Sequence, residues 1–126
     1  MIICADDFGL NQVNNDAIIE LAIDGKISAV SVMVPHCLNR NICSCDFLKT
    51  LHNRVEIGLH LVLTEEGSVA PLNQKPLLPN QHNNKSYPNF YDIVCKSITN
   101  RLVQQSIYEE FYAQFIAFKQ IFGFAP

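Results

Sequence analysis

Three short apolar runs, separated by stretches of helical periodicity, leave this chain few folds to choose from. They are Met1-Ile2-Ile3-Cys4-Ala5, Ser28-Ala29-Val30-Ser31-Val32-Met33-Val34 and Val55-Glu56-Ile57-Gly58-Leu59-His60-Leu61. Runs of this length, rich in Ile and Val, read as strands. Between the first two, Val13, Ala17, Ile18, Leu21 and Ala22 recur at helical spacing from Asn11 to about Asp24, and Gly25 is a natural stop. Pro35 ends the second run, and a weaker helix is expected between Ile42 and Leu51. Strand, helix, strand, helix, strand is the order of parallel βαβ units, because parallel neighbours need a long crossover that a helix supplies. The expected class is α/β, with residues 1–5 as a fully buried first strand.

That strand runs into Asp6-Asp7-Phe8-Gly9. The charge therefore falls at the carboxyl edge of the sheet, where α/β proteins bind ligands. Side chains alternate across a strand, so the two aspartates are expected to differ in task, one holding a cation and one handling a proton. His60, in Gly-Leu-His-Leu at the end of the third run, falls on the same edge if the sheet is parallel. A carboxylate and an imidazole converging there are ordinary ligands of a divalent metal. Taken alone, the histidine is better explained by a bond to a backbone carbonyl; its combination with the acidic pair and a following lid-like loop favours the metal.

With 126 residues the chain is one domain or a piece of a larger one. Being 48% hydrophobic and only 17% charged, it is globular rather than disordered. A net charge of −3 without any basic block argues against nucleic acid as a partner. The apolar runs are too short to cross a bilayer, so no membrane partner is expected. The N-terminus has no basic region followed by a long apolar one, so no secretion signal is read and a cytoplasmic location is expected. Cys4, Cys37, Cys43, Cys45 and Cys95 are an odd set without a framework spacing, which fits free thiols in a reducing compartment. His36-Cys37 with Cys43-Ser44-Cys45 lacks the Cys-x-x-Cys pairs of structural zinc sites and reads as small buried or loop residues.

From residue 64 to about 99 the periodicity dissolves, punctuated by Pro71, Pro76, Pro79 and Pro88. A loop of this length in a compact domain is expected to be functional, such as a lid over a site. Ser106-Ile107-Tyr108-Glu109 has the form of a capping box, opening a helix that Gly123 ends. Its stripe of Ile107, Phe111, Phe115, Phe118 and Phe122 is expected to pack on the sheet. The alternation calls for a further strand beyond Phe124-Ala125-Pro126.

Several of these segments together resemble one family. They are Ala5-Asp6-Asp7-Phe8-Gly9-Leu10, Asn14 or Asn15 with Ile18, Gly25, and residues 28 to 34. Residues 55 to 65, which include Gly58-Leu59-His60-Leu61, and Glu110 with Gln114 and Phe118 complete the pattern. In order and over nearly the whole chain they resemble the YdjC-like carbohydrate deacetylases, a family with chitooligosaccharide and hopanoid-pathway members. The resemblance implies a TIM-barrel-like (β/α) fold, of which residues 1–126 would be the N-terminal portion. It implies removal of acetyl groups from N-acetylated sugars or oligosaccharides with a bound divalent metal, Mg2+ or Zn2+. Asp6 would be the general base, and Asp7 and His60 metal ligands. In that family the Gly-x-x-Pro matched by Gly123 to Pro126 leads into a strand whose His-rich motif supplies the third ligand. That motif is not among these residues, so this polypeptide alone is expected to be weakly active or inactive. A homo-oligomer or a separate C-terminal fragment could then complete the site.

Other readings fit less well. A signalling receiver domain also places an acidic pair after its first strand, but needs an aspartate where His60 stands. A nucleotide-binding Rossmann domain needs a Gly-rich turn, and neither that nor a Walker lysine motif occurs. A non-enzymatic remnant or binding module is the alternative, separable from an enzyme by metal titration. Glu65 and Glu66 read as solvated loop charges, and His36, His52 and His82 as surface or structural residues.

Overall fold

The computed structural model describes residues 1–40, 44–64, 69–70 and 90–126. Three strands and five helices follow in the order β1 (Cys4–Phe8), α1 (Gln12–Ile23), β2 (Ala29–Val32), α2 (Val34–Arg40), α3 (Ser44–Thr50), β3 (Glu56–Leu59), α4 (Phe90–Thr99) and α5 (Arg101–Phe122). The strands form a parallel sheet in the order β1-β2-β3. The class is α/β, as the sequence predicts. The proposed lid lies mostly outside the described residues, together with Cys43, Glu65, Glu66 and His82.

One face of the sheet carries the core. Phe8, Val30, Val32 and Ile57 are buried there with Ile18 and Ala22 of α1, Leu48 of α3, and Phe118 and Phe122 of α5. Each of these side chains larger than Ala22 contributes roughly 1.5–3 kcal/mol by leaving water. The alternate positions form a polar face: Cys4, Asp6 and Glu56 are exposed, and Ala29, Ser31 and Gly58 partly so. The elements positioning the candidate site therefore have one packed side and one open side.

Local chemistry sets the helix ends. Asn11 caps α1 by accepting the Asn14 N–H at 2.9 Å. Asn100 caps α5 in the same way through the Leu102 N–H, and Gly123 ends it in the left-handed conformation, φ +83°.

Several expectations need correction. Residues 1–5 are not a buried strand: β1 starts at Cys4, and Met1, Ile2 and Ile3 are exposed. Apolar character marked a strand there but could not say whether neighbours cover it. In α1 the buried positions are Asn15, Ile18 and Ala22, while Val13 and Leu21 point outward. The second strand ends at Val32 rather than at Pro35: Val34 already opens α2, and Pro35 sits in its first turn, where its missing N–H costs nothing. Residues 90 to 99 are helical rather than loop. α5 begins at Arg101, and Ser106 lies inside it, its hydroxyl donating to the Leu102 carbonyl at 2.9 Å instead of capping. Of the expected aromatic stripe only Phe118 and Phe122 are fully buried; Ile107, Phe111 and Phe115 are half-buried.

Candidate functional site

β1 departs from regular pairing at the acidic pair. Ala5 is opposite Val30 and Phe8 opposite Val32, so Asp6 and Asp7 together span the single residue Ser31. This is a β-bulge. Asp7 takes up the extra length with φ +64°, the sole non-glycine residue with positive φ among those described. Aspartate reaches this region more readily than most side chains do. The bulge suspends the strand's alternation, so the two aspartates do not point to opposite faces of the sheet. Both carboxylates come to the open face, within reach of the same groups.

Those groups are Ser31 and His60. The Ser31 hydroxyl donates to Asp6 Oδ1 at 2.6 Å and lies 3.0 Å from His60 Nδ1. Asp7 Oδ1 is 3.5 Å from that same nitrogen, with both side chains partly exposed. His60 is held in place because its N–H donates to the Val32 carbonyl at 2.9 Å, extending the β2–β3 ladder past the end of β3. The structure thus brings Asp6, Asp7 and His60 together at one sheet edge.

The Ser31 hydroxyl holds the Asp6 carboxyl below the usual carboxylate range, helped by the Cys4 thiol and the nearby His60 and opposed by slight desolvation. Asp6 is therefore ionised near neutrality. Desolvation, then the Asp6 charge, pushes the Cys4 thiol upward. Both bonds to Asp6 use Oδ1, and among the described residues Oδ2 makes no hydrogen bond.

Two further devices hold this edge. After the acidic pair, Gly9 turns the chain at φ +106°, where a Cβ would lie 3.0 Å from the Met33 carbonyl oxygen. Its N–H is taken by the buried Asn15 Oδ1 at 2.7 Å. Beyond His60, the buried Gln114 amide of α5 accepts the Val62 N–H at 3.0 Å and donates to the Val62 carbonyl at 2.6 Å. Gln114 also donates to Glu110 Oε1, and the buried Glu110 carboxylate accepts the N–H groups of Val69 and Ala70. Ser31 and the roles of Glu110 and Gln114 escaped the sequence reading. For the helix pair a signal existed: two polar residues four apart, in line with Phe118 on the face that packs.

The other described histidines, His36 and His52, do not join the site. His36 is buried, the structural one of the two roles expected for it, while His52 is exposed, bonded to the Lys49 carbonyl and near Phe124. Cys37 and Cys45 lie 2.8 Å apart in the core, and the hydrogen bond with the Cys45 thiol, together with burial, pushes the Cys37 thiol up. Among the described residues no three His, Cys, Asp or Glu side chains gather as a metal cluster. Asp7 and His60 still suit a divalent cation by donor type: a carboxylate and an imidazole share an open polar edge, and both are donors such ions accept.

Known proteins resemble this chain in sequence and in fold. The model of the YdjC-like protein family matches residues 1–126. A chitooligosaccharide deacetylase of Serratia marcescens is 30% identical over 126 residues, covering all of this chain and 46% of the relative. Among solved structures, a protein of Enterococcus faecalis V583, provisionally named for cellobiose-phosphate cleavage, superimposes with a TM-score of 0.69. It is 25% identical and covers 99% of this chain and 45% of its own. The chain thus spans slightly under half the length of both relatives. No helix among the described residues is long and apolar enough to cross a membrane.

Proposed function

The chain belongs to the YdjC-like protein family, and from that footing we propose that it forms the Asp6–Asp7–His60 side of the active site of a metal-dependent carbohydrate deacetylase. The observation that carries this reading is the convergence of all three side chains on the open edge of the sheet. The named activity of the Serratia marcescens relative supports an N-acetylated sugar or oligosaccharide as substrate. Residues 1–126 would then be the N-terminal portion of a (β/α) barrel.

Asp7 and His60 would hold the cation, Mg2+ or Zn2+. Such an ion supplies Lewis acidity toward the substrate's amide carbonyl and lowers the pKa of a bound water. Asp6 is the general base: it is ionised, and its Oδ2 is open to accept the proton of the attacking water while Ser31 anchors Oδ1. The bulge sets base and ligand side by side on consecutive residues. Catalytic zinc sites use three protein ligands, so we expect a further ligand from outside the described residues and weak activity of the 126-residue polypeptide by itself. Among the described residues β1 and β3 each pair along one edge only. A second copy or a C-terminal complementing fragment docking there could supply that ligand. The exposed free thiols Cys4 and Cys95 suit the reducing cytoplasm.

The test is acetate release from an acetylated chitooligosaccharide by the full-length protein, with Mg2+ or Zn2+ added. Release that Asp6→Asn reduces by 100-fold or more, a typical contribution of a general base (~10²–10⁴), supports the assignment. No release with either metal, or release indifferent to Asp6→Asn, contradicts it.

A further inference from the structure

Ser31 stands on the central strand, between the strand that carries the acidic pair and the one that leads to the histidine, and its hydroxyl touches both sides. A hydroxyl has one proton to give and two lone pairs with which to accept. Ionised Asp6 can only accept, and its 2.6 Å separation from Ser31 Oγ is that of a charge-assisted bond. The single Ser31 proton is therefore committed to Asp6. Toward His60, 3.0 Å away, Ser31 is left as an acceptor. A bare Nδ1 would set its lone pair against the lone pairs of that oxygen, so Nδ1 must carry hydrogen. Asp7 Oδ1, at 3.5 Å from the same nitrogen, favours the same form but is too distant to enforce it.

We propose that Ser31 is a positioning residue that fixes the neutral His60 ring as its Nδ1–H tautomer, leaving the Nε2 lone pair as the ring's one ligand atom and tying the ring to Asp6. The use of Nε2 rests on the reading of His60 as a metal ligand; the tautomer itself does not. A neutral histidine in water prefers the Nε2–H form, so this site opposes the intrinsic preference. Metal-binding histidines generally pass their second ring hydrogen to an oxygen partner that fixes tautomer and orientation. Here that partner is a serine backed by the base. The two functional groups consequently share one bridge, and removing it alters both.

The experiment is 15N NMR of the His60 ring in the full-length protein at pH about 8.5, above the ordinary imidazole range. It is run without metal and then with zinc chloride. The expected result is a protonated-type Nδ1 shift with a bare-type Nε2 shift. Ser31→Thr, which keeps the hydroxyl, retains the pattern, and Ser31→Ala moves the two shifts toward each other. Zinc is expected to perturb Nε2 while Nδ1 stays protonated. An Nε2–H pattern in the unaltered protein overturns the proposal, as does a pattern indifferent to Ser31→Ala or zinc binding at Nδ1. Zinc that moves neither shift while the Nδ1–H pattern persists would uphold the Ser31 role and count against His60 as a ligand. If Ser31→Ala fails to fold, Asp7→Asn replaces it: an Nδ1–H pattern that survives Asp7→Asn supports Ser31 as the group that fixes the ring, and one lost in Asp7→Asn overturns the proposal.

Discussion

Asp7, on β1, and His60, just past β3, face each other at 3.5 Å although β2 lies between their strands. The contact depends on the bulge at Asp6 and Asp7, which brings a second carboxylate to the open face, and on the Val32 bond that guides His60 beyond its strand.

The bulge makes Asp7 a source of backbone strain. A left-handed residue with a Cβ costs about 1–2 kcal/mol relative to the right-handed form, and glycine escapes that cost. Asp7→Gly should therefore leave stability unchanged or raise it by up to about 1 kcal/mol, whereas Asp7→Val should lower it by roughly 1–3 kcal/mol. Urea unfolding midpoints measure both. A valine variant as stable as the glycine one would mean that the bulge does not form.

Gly9 tests the turn that follows. Its φ of +106° and the 3.0 Å approach of a built Cβ to the Met33 carbonyl oxygen leave no room for a side chain. Gly9→Ala is expected to destabilise by roughly 1–3 kcal/mol, read from the same unfolding curves.

Gln114 holds both polar backbone groups of Val62, two residues beyond His60. Gln114→Leu leaves a buried donor and acceptor unmet, at roughly 1–3 kcal/mol each. The expected loss is roughly 2–6 kcal/mol in total, with faster amide exchange at Val62. Glu110→Leu should act similarly through Val69 and Ala70. Because Gln114 also donates to Glu110, the double variant should lose less than the sum of the two.

The lowered pKa of Asp6 fixes the sign of one pH effect. Its folded value lies below the unfolded one, so its contribution to stability is full above the ordinary carboxylate range and is lost as pH falls through the folded value. The Ser31 hydroxyl is the main cause. Ser31→Ala should therefore move the Asp6 titration, followed by carboxyl 13C NMR, to higher pH. An unmoved curve would show that another group holds Asp6 down.

How much of this was visible in the sequence depends on the kind of signal. The βαβαβ order was legible because Val30, Val32 and Ile57 alternate with polar or small residues while Ile18 and Ala22 keep helical spacing. The edge position of Asp6, Asp7 and His60 followed from that order. The bulge was not legible, since nothing in Ala-Asp-Asp-Phe announces an extra residue in the pairing. Ser31 was hidden because a serine in an apolar strand has no signature until its cross-strand neighbours are known. The start of α5 was misplaced because Ser106 and Glu109 mimic a cap that Asn100 supplies. Glu110 and Gln114 were read only as part of a pattern, because polar residues on a packed helix face gain meaning from the backbone they satisfy.

The most direct measurement is calorimetric titration of the full-length protein with zinc chloride, repeated on Asp7→Asn and His60→Gln after their amide spectra confirm the fold. Shared coordination predicts binding that weakens at least tenfold in each variant, about 1.4 kcal/mol or more. Unchanged affinity in either folded variant would contradict it.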